Sequence, residues 1–177
     1  SMKNVVLIGF MGTGKTSTGR MLAAKLGCAF IDMDQQIEEE AGITIPEMFA
    51  QKGEAYFRER ERQLVIDLAG RRNAVISTGG GTVKDPENMR QFRRTGVVIC
   101  LTASVDAVLE RTSHRGSRPV LDQADQGDRR QAVEQLMAER SELYRQADHT
   151  VDTSELSPLQ VVEVIQRYLK SRGVIHA

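Results

Sequence analysis

The chain has 177 residues, with 24 lysines and arginines against 24 aspartates and glutamates, and 40% of its residues are hydrophobic. A chain of that length buries roughly 70% of the surface its unfolded form exposes, so its core needs neither disulfide nor structural metal. The balanced charge gives no bulk attraction to nucleic acid or to an anionic membrane surface and leaves only a local patch open.

Mean hydropathy is −0.35. No apolar run approaches the roughly 18 residues needed to span a bilayer, and the longest, Val5 to Met11, is strand-sized. Met2 to Ile8 lack the long apolar region and cleavage site of a secretory leader, and Ser1 reads as an addition before the first methionine. Cys28 and Cys100 are far apart and show no metal-type spacing, which fits a reducing compartment. One cytoplasmic domain is expected, with no nucleic-acid or membrane partner.

Short β-branched runs alternate with stretches of helical period, the pattern of a parallel sheet covered on both faces. Strands are predicted at Val5 to Ile8, Ala29 to Ile31, Ala74 to Ile76, Val97 to Leu101 and His149 to Val151. Directly after the first, Gly9-Phe10-Met11-Gly12-Thr13-Gly14-Lys15-Thr16 fits the phosphate-loop pattern G-x-x-x-x-G-K-[ST]. The helical stretch behind it carries Met21, Leu22 and Leu26 on one face, so strand, loop and helix follow in the order such a cradle requires. Glycines let backbone amides turn toward phosphate oxygens, and the helix start adds its positive dipole end. Gly12, Thr13, Gly14, Lys15, Thr16 and Ser17 are therefore the candidate nucleotide contacts. Lys15 would reach the β- and γ-phosphates, and the Thr16 hydroxyl would meet Mg²⁺.

The second strand ends in Phe30-Ile31-Asp32-Met33-Asp34. If strand conformation continues, both carboxylates lie on one side beyond the carboxyl end of the sheet, where ligands of such sheets bind. Asp32 is the nearer candidate to hold Mg²⁺ through a water. Asp34 is a candidate to orient an alcohol and accept its proton. The residues can equally be solvated turn or cap residues. Thr44 with Glu47 predicts a capping box. Glu54, Arg58 and Glu61 share a helical face, a spacing that surface ion pairs also produce. Asp67-Leu68-Ala69-Gly70 matches the D-x-x-G string of switch proteins but closes a helix.

The third strand ends in Ser77-Thr78 without an acid, and Gly79-Gly80-Gly81 after it permits close backbone approach to a ligand, or equally a flexible turn. From Arg111 to Asp128 the pattern breaks into a long polar loop, as in a lid or binding segment. Arg140 falls in a charged helix, and Ser157 with Pro158 predicts an N-cap and first helical residue. His114, His149 and His176 have no spacing that suggests catalysis. A guanine-reading Asn-Lys-x-Asp is absent, which weighs against a nucleotide-dependent switch; gluconate and nucleoside monophosphate kinases remain rivals among enzymes.

The ordered set of phosphate loop, Asp32-x-Asp34, Gly53-Glu54-x-x-Phe57-Arg58-x-x-Glu61, Gly79-Gly80-Gly81, Arg118-Pro119 and Arg140 before Tyr144 resembles the shikimate kinases over essentially the whole chain. The resemblance implies an α/β fold: a three-layer phosphate-loop kinase with a five-stranded parallel sheet of order 2-3-1-4-5. A helical substrate-binding insertion at about 33–61 and a mobile lid at about 112–127 would complete it. It implies transfer of the γ-phosphoryl of ATP to the 3-hydroxyl of shikimate with Mg²⁺, in a monomer. Asp34 would be the base, and Arg58 and Arg140 would clamp the substrate carboxylate. Gly80 and Gly81 would supply backbone contacts, and Glu61 would orient Arg58. Arg118 would close over the phosphates as a third catalytic residue beside Lys15 and Asp34. Arg111 and Pro158 would flank the adenine. The sequence departs from the family in Val120 after Pro119, in Thr44 for serine, and in the polarity of 122–130.

Overall fold

Strict alternation within the first strand sets the layers. In a computed structural model that describes residues 1–113 and 126–176, β1 (Asn4–Gly9) is buried along its whole length. Val6 and Ile8 face one core, and Val5 and Leu7 face the other. Burial on both faces suits a strand of a sheet covered by helices on either side, and pairing on both edges makes β1 central. It pairs in parallel with β3 (Ala74–Ser77) on one side and β4 (Gly96–Thr102) on the other; β2 (Ala29–Asp32) and β5 (His149–Asp152) complete the sheet. The order is β2-β3-β1-β4-β5, as the resemblance implied.

Two helices, α1 (Lys15–Leu26) and the C-terminal α8 (Pro158–Ser171), cover the face of Val5 and Leu7, with Leu22, Val162, Ile165 and Leu169 packed there. On the opposite face lie α2 (Met33–Ala41), α3 (Ile45–Lys52), α4 (Glu54–Ala69) and α5 (Pro86–Thr95), which contribute Met33, Ile37, Met48, Phe57, Val65 and Phe92. A third cluster joins α6 (Val105–Arg111) to α7 (Gln126–Tyr144) around Phe10, Val108 and Val133. Among the described residues no helix is long and apolar enough to cross a membrane.

The predicted caps form. Thr44 and Glu47 make a reciprocal capping box, as do Ser157 and Gln160, and Pro158 takes the first turn of α8. Asp67 to Gly70 closes α4 as expected, and His149 opens β5 with its ring stacked on Tyr168.

Two expectations need correction. Strand conformation does not continue through Asp34: Asp32 caps a helix, its carboxylate accepting from the Gln35 N–H at 3.2 Å, and Asp34 sits in the first turn of α2. An Asp at the cap and an acid in the first turn both favour the helix start, a local preference stronger than the strand's continuation. Nor does the long polar loop reach from Arg111 to Asp128. Ser104 caps α6 through the Ala107 N–H, so Arg111 closes a helix, and α7 already begins at Gln126. His114 and the residues around Arg118 lie outside the described residues.

Candidate active site

All five strands run in parallel, so their carboxyl ends open on one side, and a cavity of about 930 Å³ lies there. Its floor is the phosphate loop. Gly12 and Gly14 adopt φ of 78° and 90°, left-handed values that a residue with a β-carbon reaches only with strain. Gly14 caps α1 and, as a glycine, has no side chain of its own to accept from the first N–H groups of the helix. Thr13 turns inward, its hydroxyl donating to the Phe10 carbonyl at 2.7 Å. The Lys15 ammonium donates to the carbonyls of Gly9 and Phe10 at 2.6 and 3.2 Å, which holds its charge at the cavity floor.

Thr16 and Asp32 meet beside that lysine. The Thr16 hydroxyl donates to Oδ2 of Asp32 at 3.2 Å. This hydroxyl-plus-carboxylate set consists of oxygen alone, the ligand chemistry of a hard divalent cation that keeps most of its waters. Among the described residues no cluster of three or more His, Cys, Asp or Glu gathers to cage a metal. The donor set therefore fits a magnesium held partly by phosphate and water.

Arg111 and Pro158 line the other end of the cavity. The Arg111 guanidinium is tied down at three points: it donates to the Gly12 carbonyl at 3.1 Å, to the Thr153 hydroxyl at 2.9 Å and to the Thr153 carbonyl at 2.6 Å. Thr153, buried just past β5, was missed in the sequence. The rule that ligands gather beyond the carboxyl ends of parallel strands could have found it. Ser17 also lines this cavity.

The glycine run after β3 brings the remaining residues together. None of Gly79, Gly80 or Gly81 has a positive φ, so turn conformation is not what calls for glycine. Space is. A β-carbon at Gly79 would meet Oδ1 of Asp34 at 2.5 Å, one at Gly80 the Arg140 guanidinium at 3.4 Å, and one at Gly81 the Arg58 guanidinium at 2.6 Å. Three consecutive glycines thus each receive a different charged side chain, and Arg140 also donates to the Gly80 carbonyl at 3.1 Å. The close approach seen here is of the protein's own side chains to the loop. Asp34, Gly79 and Gly80 line the large cavity, whereas Arg58 and Arg140 are not among its lining residues and stand against Gly81 and Gly80.

Electrostatics separate these groups. Burial pushes the Asp34 carboxyl up to about 6, and the negative charges of Asp32, Glu61 and Glu38 add to the rise while Lys15 opposes it. An acid poised there is ionised at neutral pH yet more basic than a free carboxylate. Arg58 pairs with Glu54 at 3.3 Å and with Glu61 at 2.9 Å. The second is no surface pair, because the Glu61 side chain is only 2% exposed. Arg140 lies over the Phe10 ring, 5.7 Å from its centroid. Cys100 is buried, and burial pushes its thiol up to about 11, so it carries no thiolate chemistry.

The family profile described as Shikimate kinase matches residues 11–170. The chain belongs to the shikimate kinase family. As a shikimate kinase it is an ATP-dependent kinase, and its relatives match it over nearly their full length. The shikimate kinase of Pelotomaculum thermopropionicum is 47% identical over 174 residues, covering 98% of this chain and 99% of that one. That of Thermodesulfovibrio yellowstonii is 42% identical over 168 residues, covering 94% and 95%. Among solved structures, the shikimate kinase from Acinetobacter baumannii in complex with shikimate superposes with a TM-score of 0.89 at 35% identity, over 97% of this chain and 95% of that one. The shikimate kinase from Aquifex aeolicus gives 0.82 at 33% identity, over 96% and 98%.

Proposed function

We propose that this shikimate kinase transfers the γ-phosphoryl group of ATP to the 3-hydroxyl of shikimate through the residues gathered around the glycine loop. The observation that carries the reading is the convergence of Asp34, Arg140 and Arg58 on Gly79, Gly80 and Gly81, beside the phosphate loop.

The amides of Gly12, Thr13 and Gly14 and the start of α1 receive the phosphates, with Lys15 at the β- and γ-phosphoryl oxygens and Ser17 beside them. Arg111 and Pro158 hold the adenine end. Two guanidinium groups, Arg58 and Arg140, clamp the substrate carboxylate with paired N–H groups, and Glu61 fixes Arg58 from behind. Gly80 and Gly81 add backbone contacts. With the acid end anchored, the hydroxyl faces Asp34. As the oxygen–phosphorus bond forms and the bond to the β-phosphate oxygen breaks, the hydroxyl proton passes to the Asp34 carboxylate and ADP departs. Thr16 and Asp32 would hold magnesium, which supplies charge neutralisation on the phosphates. Arg118, outside the described residues, keeps the charge-stabilising role that the resemblance implies.

The chain acts in this reading as one cytoplasmic domain, with residues 33–61 as substrate region and 112–127 as lid. It acts in this reading as a monomer. A coupled ADP-release assay tests it with shikimate, gluconate and AMP as acceptors, with and without magnesium. Turnover confined to shikimate and dependent on the metal is expected; equal or greater turnover of gluconate or AMP would reject it.

A further inference from the structure

Behind the glycine loop runs a hydrogen-bonded chain of which the mechanism above uses only the Glu61–Arg58 link. Thr82 follows Gly81 directly and is fully buried. Its hydroxyl accepts from the Gly79 N–H at 3.0 Å and donates to Oε2 of Glu61 at 2.9 Å. The other oxygen of that carboxylate, Oε1, accepts from Arg58 at 2.9 Å. The polarity is unambiguous: amide to hydroxyl, hydroxyl to carboxylate, guanidinium to the same carboxylate. A hydroxyl has one proton, so once Thr82 serves Glu61 it can serve Gly79 only as acceptor, as it does. The Thr82 backbone is itself pinned, its N–H donating to the Gly79 carbonyl at 3.3 Å and its carbonyl accepting from Asn88 of α5 at 3.1 Å.

The two ends of this chain are the two ends of the acceptor subsite. Gly79 is the residue against which Asp34 rests, and Arg58 stands against Gly81. We propose that Thr82 is a positioning residue for the acceptor subsite, its hydroxyl locking the Glu61–Arg58 pair to the loop that Asp34 packs against. This rests on the reading of the site as the shikimate subsite and deepens it. Without the hydroxyl, the Gly79 N–H and Oε2 of Glu61 would both be buried without a partner. A carboxylate left so regains its solvation only by turning away, and Arg58 would turn with it. Among the described residues the hydrogen bonds of Thr82 run to Gly79, Glu61 and Asn88 and not to the phosphate loop, so the nucleotide end should not register the change.

The test is steady-state kinetics of the full chain with both substrates varied, for the wild type, Thr82→Val and Thr82→Ser. Valine keeps the shape and removes the hydroxyl; serine keeps the hydroxyl. Thr82→Val is expected to raise KM for shikimate about tenfold while KM for ATP stays within about twofold, and Thr82→Ser to return within about threefold of wild type. A merely destabilised protein would lose active fraction, lowering kcat with both KM values unmoved. If circular dichroism shows Thr82→Val unfolded, Thr82→Ala, with room for a bridging water, replaces it with the same expected direction. An unchanged KM for shikimate, an equal rise in both KM values, or a serine variant as impaired as valine would overturn the proposal while leaving shikimate turnover intact. A wild type that does not turn over shikimate would overturn the functional reading and this proposal with it.

Discussion

Asp34 and Gly79 claim the same space: a β-carbon on Gly79 would stand 2.5 Å from Oδ1 and 3.2 Å from Cγ of the aspartate. Asp34 is a short side chain fixed in the first turn of α2, so it has no long stem to bend away. Gly79→Ala is therefore expected to displace the carboxylate and lower kcat on shikimate about 100-fold, with KM for ATP within about twofold. Steady-state kinetics check this, and a fully active alanine variant would contradict the role given to Asp34.

The raised carboxyl of Asp34 has opposite consequences for activity and stability. Activity needs the ionised form, so kcat/KM for shikimate should fall about tenfold per pH unit below about 6. Stability moves the other way. The folded state holds this proton more tightly than the unfolded chain, so the contribution is fully present below the ordinary value of 3.8 and is lost as pH rises through about 6. Asp34→Asn should remove that loss and gain on the order of 2–3 kcal/mol over wild type between pH 4 and 7. Urea denaturation at several pH values measures it; parallel curves for the two proteins would refute the assignment.

Arg58 and Glu61 should fail in different ways when cut. Arg58→Ala is expected to raise KM for shikimate about 100-fold through loss of a paired, charge-assisted contact. Glu61→Ala breaks a pair whose acid is buried, although the arginine side chain keeps 26% exposure. It should cost about 2–4 kcal/mol of folding stability, toward the low end for a buried pair. Denaturation midpoints and shikimate titrations read the two effects separately. Unchanged shikimate affinity in Arg58→Ala would remove the clamp.

Lys15→Ala should reduce turnover about 1000-fold with any acceptor, because the charge it removes lies at the phosphate floor rather than at the acceptor. Shikimate binding measured alone, by calorimetry without nucleotide, should stay within about threefold. A variant that loses shikimate affinity instead would place Lys15 in the acceptor subsite.

Much of this protein is written in local spacing. The phosphate loop, the β-branched strands, the Thr44 and Ser157 caps and the helical face shared by Glu54, Arg58 and Glu61 each depend on residues a few positions apart. Backbone geometry turns such spacings directly into structure. Local signals also exist where the structure departs from the expected strand and loop: Asp32 is the cap, one of its two alternatives, and Ser104 caps the helix that absorbs Arg111.

Tertiary structure alone decided the rest. Spacing could not tell that Glu61 is buried, that Thr82 bonds it across 21 residues, or that Arg111 ties Gly12 to Thr153 over 99 and 42 residues. Nor could it tell that the side chains standing against Gly79, Gly80 and Gly81 come from α2, α7 and α4 in turn, with the tightest approach at Gly79. Such contacts depend on which faces the sheet and helices bury together. That choice is made by the packing of the whole chain, not by any segment of it.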